Sequence, residues 1–311
     1  MTAATEVLRR RLLVIFNPAA GRNARRRLQR ALRALEAFAV VCELRETAAP
    51  GDAEAIASAA RREAFDAIAV VGGDGTVNEV VNGLADPELP LAIFPFGIGN
   101  VLANEIGLPS DPAALAAIAA HGPAQAVRAG EIRFEGEGAR SRRFLLMAGI
   151  GFDAEVVEKL NLDLKRRAGK LAFVTSILAR LWRYQPTEYR IVAESEGGTV
   201  EHRVASAVAT KAHFYAGKFV LAPAARLGDP SFELALFKRQ GRWPALRALA
   251  ALAAGCLHRL ADVDIVRVSR LRFATPAGAP VQIDGDVLGR VPASIGLAPA
   301  PILIVYPSPG A

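Results

Sequence analysis

Val70-Val71-Gly72-Gly73-Asp74-Gly75-Thr76-Val77-Asn78-Glu79-Val80 is the stretch that decides how this chain folds. An apolar run, Ala67 to Val71, reads as a buried strand, and a helix-like segment, Val77 to Leu84, follows three glycines and an aspartate. Glycines at such a junction predict a turn with positive φ and remove the Cβ atoms that would hold a ligand away. Amides left unpaired at the helix start then face outward and favour an anion such as phosphate. Asp74 is misplaced in an anion site unless a divalent cation or a transferable proton is also there, which points to nucleotide phosphate chemistry. A plainer reading, a tight turn with Thr76 as helix cap, fits the same residues. The spacing is neither the dinucleotide G-x-G-x-x-G nor the Walker loop.

Two further segments fit the same site. Leu12 to Phe16 is an apolar strand that runs into Asn17-Pro18-Ala19-Ala20-Gly21-Arg22, and Leu91 to Phe94 runs into Pro95-Phe96-Gly97-Ile98-Gly99-Asn100. In an open α/β sheet such loops gather at the carboxyl ends of the strands, where ligands bind. Working outward, strand and helix alternate: Arg11 to Asn17, Arg25 to Phe38, Val40 to Glu46, Ala53 to Arg62, Ala67 to Val71, Val77 to Leu84, Leu91 to Phe94. That alternation predicts βαβ units and a mostly parallel sheet. Pro109, Asp111-Pro112 and Gly122-Pro123 mark a change of regime. Beyond it strands dominate: Phe144 to Met147, Glu188 to Ala193, His202 to Ala209, Phe232 to Phe237, Ile265 to Val268, Leu271 to Ala274 and Val281 to Ile283. They suggest a β-sandwich, interrupted by helical patterns at Leu171 to Trp182 and Ala245 to His258.

Composition sets the bounds. The chain has 311 residues, 52% of them hydrophobic, enough for two cores and too many for general disorder. No apolar run reaches the ~18 to 20 residues that span a bilayer, and Met1 to Arg11 lacks the apolar core of a secretory signal. Cys42 and Cys256 are expected as buried thiols in a cytoplasmic protein, and four scattered histidines suggest no zinc site. The net charge of +7 favours an anionic partner. Aromatic residues are only 6% and do not interleave with basic ones, which argues against nucleic acid and for an anionic membrane surface.

Taken together, the three glycine-bearing loops resemble the catalytic domain of the diacylglycerol kinase and sphingosine kinase superfamily, in its bacterial soluble branch. The likeness continues through Gly149-Ile150-Gly151-Phe152-Asp153-Ala154, Tyr215 to Pro223 and Gln282-Ile283-Asp284-Gly285-Asp286. It implies an α/β fold with an N-terminal parallel-sheet nucleotide-binding domain, 1–126 joined by 298–311. A C-terminal β-sandwich lipid-substrate domain, 127–297, would follow, with the active site in the cleft between the two. The implied activity is a lipid kinase that uses ATP and Mg²⁺, sits in the cytoplasm as a peripheral membrane protein, and leaves a homodimer open.

Phosphoryl transfer needs held phosphates, a metal and a base. Gly72, Gly73, Gly75, Thr76 and Gly97 are expected to cradle phosphate, with Asn17 and Asn78 shaping the loops and Arg22 and Arg25 offering guanidinium forks. Arg26 and Arg27 read as a solvated helix face. Thr47 matches a family position that contacts nucleotide. Asp74 is the first metal candidate. The resemblance assigns the base to Asp284-Gly285-Asp286, where the family carries Asp-Gly-Glu and its second acid accepts the proton; Asp286 is one methylene shorter. The same dipeptide is also a strong hairpin signal. Ile98 replaces a threonine whose hydroxyl would contact nucleotide. Asp229, with the carbonyls of Arg226 and Ser231, aligns with a structural Mg²⁺ site of the family, although Pro230 replaces its glycine. Lys165, Arg166, Arg167, Lys170, Arg180 and Arg183 flank Leu171 to Trp182, which with Trp243 to Leu249 forms a pair of interfacial helices or a cover for the sandwich core. Two rivals share these features: an NAD kinase or phosphofructokinase-like enzyme, and a catalytically dead lipid-binding protein.

Overall fold

The structure is a computed structural model that describes residues 8–21, 23–136, 139–159 and 187–308. The helical pattern Leu171 to Trp182, its flanking basic residues and Arg22 lie outside the described residues. The chain divides into one compact unit of Met1–Val127 with Ala300–Ala311, and a second of Arg128–Pro299.

The first unit alternates β1 (Arg11–Phe16), α1 (Ala24–Ala37), β2 (Val41–Glu46), α2 (Asp52–Ala59), β3 (Ala67–Gly72), α3 (Asp74–Gly83) and β4 (Leu91–Pro95). Short α4 (Val101–Glu105), α5 (Pro112–His121) and β5 (Ala124–Val127) complete it. Residues Ile302–Val305 return as its last strand, parallel to β4 and antiparallel to β5. The sheet order is β2-β1-β3-β4, then that returning strand, then β5. Strands β3 and β4 are buried along their whole length, as continuous apolar runs demand of a sheet covered on both faces. Helix α1 buries Ala24, Leu28, Ala31 and Leu35, one stripe at helical spacing, against a core that includes Leu12, Val14, Phe16 and Phe94.

The second unit is an antiparallel sandwich. Its strands are β6 (Gly130–Phe134), β7 (Ser141–Phe144), β8 (Met147–Gly151), β9 (Tyr189–Ser195), β10 (Gly198–Val204), β11 (Ser206–Thr210), β12 (Phe214–Tyr215) and β13 (Phe219–Val220). They continue with β14 (Phe232–Phe237), β15 (Val263–Val268), β16 (Arg270–Thr275), β17 (Pro280–Ile283), β18 (Asp286–Arg290) and β19 (Ala293–Leu297). The returning strand Ile302–Val305 is then β20. Two described helices belong here, α6 (Phe152–Lys159) and α7 (Arg242–Ala253). One sheet runs β10-β9-β16-β19-β6-β7 and the other β15-β14-β11-β8-β17-β18. Between them Phe144, Tyr189, Phe232 and Phe273 fill the core, with Phe144 and Phe232 rings 5.9 Å apart.

Two expected strands prove to be two strands each. Phe144 to Met147 spans the end of β7 and the start of β8, which belong to opposite sheets. His202 to Ala209 likewise runs from β10 into β11 of the other sheet, turning at Ala205. Residues 144–151 and 204–210 are buried without a break, so the apolar run carries no mark of the corner. The helical pattern Ala245 to His258 becomes α7, which starts earlier, at Arg242, and ends at Ala253; a 3₁₀ turn, Leu257–Arg259, follows.

Candidate functional site

At the carboxyl edge of the parallel sheet the ends of β2, β1, β3 and β4 stand side by side. The chain leaves β1 for β2 on one side and β3 on the other, so the crevice at this switch point is framed by Asn17 and the glycine loop. Asn17 ties two loops together: its backbone N–H donates to Val71 O at 2.9 Å, and Nδ2 donates to Thr76 Oγ1 at 3.0 Å. Thr47 follows β2, and its N–H donates to Phe16 O at 2.9 Å. The third loop continues the ladder, with Phe96 N–H and Gly97 N–H both donating to Gly72 O.

The glycines serve a different purpose from the one expected. Positive φ is found at neither Gly72, Gly73, Gly75 nor Gly97. A Cβ on Gly72 would lie 2.5 Å from Thr76 Oγ1, and one on Gly97 would lie 2.6 Å from the Gly73 Cα. The two glycine loops pass backbone against backbone, and no side chain fits between them. Helix α3 begins at Asp74, with Gly73 as an extended N-cap and no side-chain cap, so Thr76 lies inside the first turn. The first amides of such a helix have no acceptor within it.

Asp74 has a positional duty. Its Oδ2 accepts from Val101 N–H at 2.9 Å and its Oδ1 from Leu102 N–H at 3.1 Å, so the carboxylate caps α4 and locks the second loop to the third. Asn100 holds that third loop through Nδ2, which donates to Pro95 O at 3.0 Å and Gly97 O at 2.8 Å. Its buried Oδ1 has no partner within the protein. An orphaned buried amide oxygen in the loop that the Asp74 carboxylate locks in place suits a cation or an N–H donor of a bound ligand, so the donor chemistry here fits Mg²⁺ with nucleotide. Asn100, which the motif reading left outside the site, was signalled only by its place at the loop's end.

Other expected residues have partners within the protein. Asn78 is buried in α3, its Oδ1 accepting from Asn82 Nδ2 at 3.1 Å. Arg25 forms a bidentate ion pair with Glu46 at 2.7 and 2.8 Å. Arg27 is not a freely solvated residue: its guanidinium lies 4.0 Å over the Phe96 ring, and burial lowers its pKa. Ile98 is 44% exposed on the third loop.

In the second unit, Asp284 (φ 49°) and Gly285 (φ 94°) form the two-residue turn between β17 and β18. Positive φ at both positions makes it the hairpin that the dipeptide signals. The Asp284 carboxylate accepts from three consecutive amides, Leu145 and Leu146 at 3.0 Å and Met147 at 2.9 Å. Those amides are the corner where β7 passes into β8, so Asp284 stitches a sheet corner to the hairpin. A carboxylate so engaged orients the turn and is not a ready proton acceptor. Asp286, the first residue of β18, is exposed.

Behind the turn lies a buried polar chain. Gly285 N–H donates to Gln282 Oε1 at 2.9 Å, Gln282 Nε2 donates to Asp153 Oδ2 at 2.7 Å, and the Tyr215 hydroxyl donates to Asp153 Oδ1. Burial pushes the Asp153 carboxyl above its ordinary range and the Tyr215 phenol above its own. Asp153 and Tyr215 also line an apolar pocket that opens to solvent, and Pro244, Ala248 and Leu252 of α7 line it too. That face of α7 covers the cavity, while Trp243 is 70% exposed on the helix's first turn.

The turn Arg226 to Ser231 does not fit the expected metal. Lys211 Nζ donates to the carbonyls of Asp229 and Ser231, the latter at 3.0 Å, and Arg226 O accepts from Asp229 N–H at 3.1 Å. The two carbonyl oxygens expected to ligate a cation, those of Arg226 and Ser231, already accept hydrogen bonds within the protein. Among the described residues no cluster of three or more His, Cys, Asp or Glu side chains has metal-binding geometry, and no helix is long and apolar enough to cross a membrane.

Comparison with known proteins matches residues 11–132 to the diacylglycerol kinase catalytic domain and 147–306 to the YegS C-terminal NAD kinase beta sandwich-like domain. A diacylglycerol kinase of Mycobacterium tuberculosis is 29% identical over 261 residues, 83% of this chain and 82% of that protein. One of Bacillus subtilis is 28% identical over 289 residues, 91% of this chain and 92% of the relative. A crystal structure from Bacillus anthracis str. Sterne, provisionally described as a diacylglycerol kinase, shares the fold with a TM-score of 0.79 at 21% identity, over 99% of this chain and 98% of that one.

Proposed function

We propose a specific reaction for this chain, which belongs to the diacylglycerol kinase family and is therefore a kinase: transfer of the γ-phosphate of ATP to the free hydroxyl of diacylglycerol or a related lipid. The observation that carries the reading is the glycine crossing, where Gly97 meets Gly73 at the start of α3, a helix whose first amides have no acceptor within it and suit phosphate. In the reaction the acceptor oxygen forms a bond to the γ-phosphorus, the bond from that phosphorus to the β-bridging oxygen breaks, and ADP leaves with the electron pair. Asp286 takes the hydroxyl proton, and Asp284 holds the turn that presents it. Asp74 and Asn100 Oδ1 would hold Mg²⁺, which when bound neutralises charge on the phosphates.

The apolar cavity beside Asp153 and Tyr215 supports a lipid acceptor over a dinucleotide, because its walls offer aliphatic contact and few polar groups. The exposed Trp243 and the net charge of +7 support recruitment to an anionic membrane surface, with the first unit serving nucleotide and the second serving lipid. The deciding experiment supplies purified protein and Mg-ATP with solubilised diacylglycerol, ceramide, sphingosine and NAD. Labelled phosphate in a lipid, lost in Asp74→Ala and Asp286→Ala, is expected. Transfer to NAD alone, or to none of the four, overturns the reading.

A further inference from the structure

The turn at Arg226 to Ser231 is organised by a cation that the protein itself supplies. Lys211 follows β11, and its backbone is pinned there: Lys211 N–H donates to Leu146 O at 2.7 Å, flanked by Thr210 Oγ1 bonds to Leu146 O and Ala212 O. The side chain therefore turns inward, is 1% exposed, and ranks among the large fully buried side chains. Its ammonium donates to the carbonyl oxygens of Asp229 and Ser231 and lies 5.5 Å from the centre of the Phe232 ring. Two carbonyl dipoles, an aromatic face and the nearby Asp229 carboxylate all favour positive charge at this point.

We propose that the Lys211 ammonium replaces a structural divalent cation in this turn, so that the fold of the second unit needs no metal there. A hard divalent ion held by the Asp229 carboxylate with the carbonyls of Arg226 and Ser231 would need the Ser231 oxygen that the ammonium already uses, and its charge would stand against that ammonium. Burial brings the Lys211 pKa down to about 8, with Arg128 adding to the lowering and Asp229 opposing it, so the group is still largely protonated at pH 7. The inference is independent of the kinase reading, because nucleotide takes no part in it.

The test is thermal melting of the nucleotide-free full chain in EDTA and in millimolar MgCl₂, at matched ionic strength, together with metal analysis after dialysis. Wild type is expected to melt at the same temperature in both, within about 1 °C, and to retain no divalent metal. Lys211→Asn, which removes the charge and offers an oxygen, is expected to melt about 5 °C lower in EDTA and to recover at least half of that loss in magnesium. Stabilisation by magnesium that persists in Asp74→Ala, one equivalent of metal retained by Asp74→Ala, or a Lys211→Asn variant that melts like wild type overturns the proposal. A variant that is destabilised but gains nothing from magnesium also overturns it. Should Lys211→Asn fail to fold, the measurements on wild type and Asp74→Ala decide alone.

Discussion

Asp284 and Asp286 stand two residues apart in one motif, yet their surroundings give them opposite duties. Asp284 accepts from three amides of the β7–β8 corner, whereas Asp286 is exposed at the start of β18. Asp284→Ala is expected to cost about 3 kcal/mol or more, since three donors lose a charged acceptor, which lowers the melting temperature by about 6 to 12 °C. Asp286→Ala is expected to melt like wild type and to lose about 10²- to 10⁴-fold in turnover with lipid. Calorimetry and a radiometric assay on both variants separate the two; a stable, inactive Asp284→Ala would reverse the assignment. Asp153 gives a pH signature. Its carboxyl titrates above the ordinary 3.8 in the folded chain, so the native state keeps a proton that the unfolded state releases as pH rises past that value. Stability contributed at low pH is thus lost as pH climbs from the ordinary value to the raised one. Melting curves from pH 4 to 7 are expected to show wild type losing ground to Asp153→Asn; parallel curves would contradict this. Of these residues the motif reading singled out the pair at the turn, because Asp-Gly is a local signal. Nothing in the sequence marks the Asp153–Gln282 bond, which joins positions 129 residues apart.

The glycine loops were legible as elements, while the reason for their glycines was not. A turn with positive φ is a property of one segment and can be read from it. The approach of Gly97 to Gly73 is a property of two segments, brought together only when β3 and β4 pair. Gly97→Ala is therefore expected to cost about 1 to 3 kcal/mol of stability through forced separation of the loops, and to weaken ATP binding by more than the stability loss explains. Titration calorimetry and melting on that variant check both; unchanged affinity for ATP would show that the crossing has no part in holding phosphate. The parallel sheet was read correctly from its long apolar strands, which are buried on both faces. The sandwich was read as a class, but its corners were missed. The chain stays buried without a break as it crosses from one sheet to the other, and at the first corner the amides of Leu145 and Leu146 serve Asp284.

At the scale of the whole molecule, the charge surplus and the exposed apolar residues bear on one question, where the lipid comes from. Many arginines are already paired: Arg25 with Glu46, Arg62 with Glu88, Arg272 with Glu135, Arg290 with Glu158. Such pairs add little to the field outside the protein, so the proposed attraction to an anionic membrane would have to come from the unbalanced remainder of the +7. That remainder acts through water and is screened by salt, with a Debye length of about 10 Å at 0.1 M and about 3 Å at 1 M. Contact of the proposed kind by Trp243, at 70% exposure, would be apolar and would persist in salt. Binding to vesicles that contain phosphatidylserine is therefore expected to fall at least about tenfold as NaCl rises from about 0.05 to 0.5 M, at about 1 kcal/mol per basic residue near the surface. Trp243→Ser is expected to lower binding by a similar factor at both salt concentrations, because it removes only the apolar share. Cosedimentation of wild type and variant across that range tests the division. Binding that ignores salt would remove the electrostatic half of the argument, and a Trp243→Ser variant that binds as wild type does would remove the other.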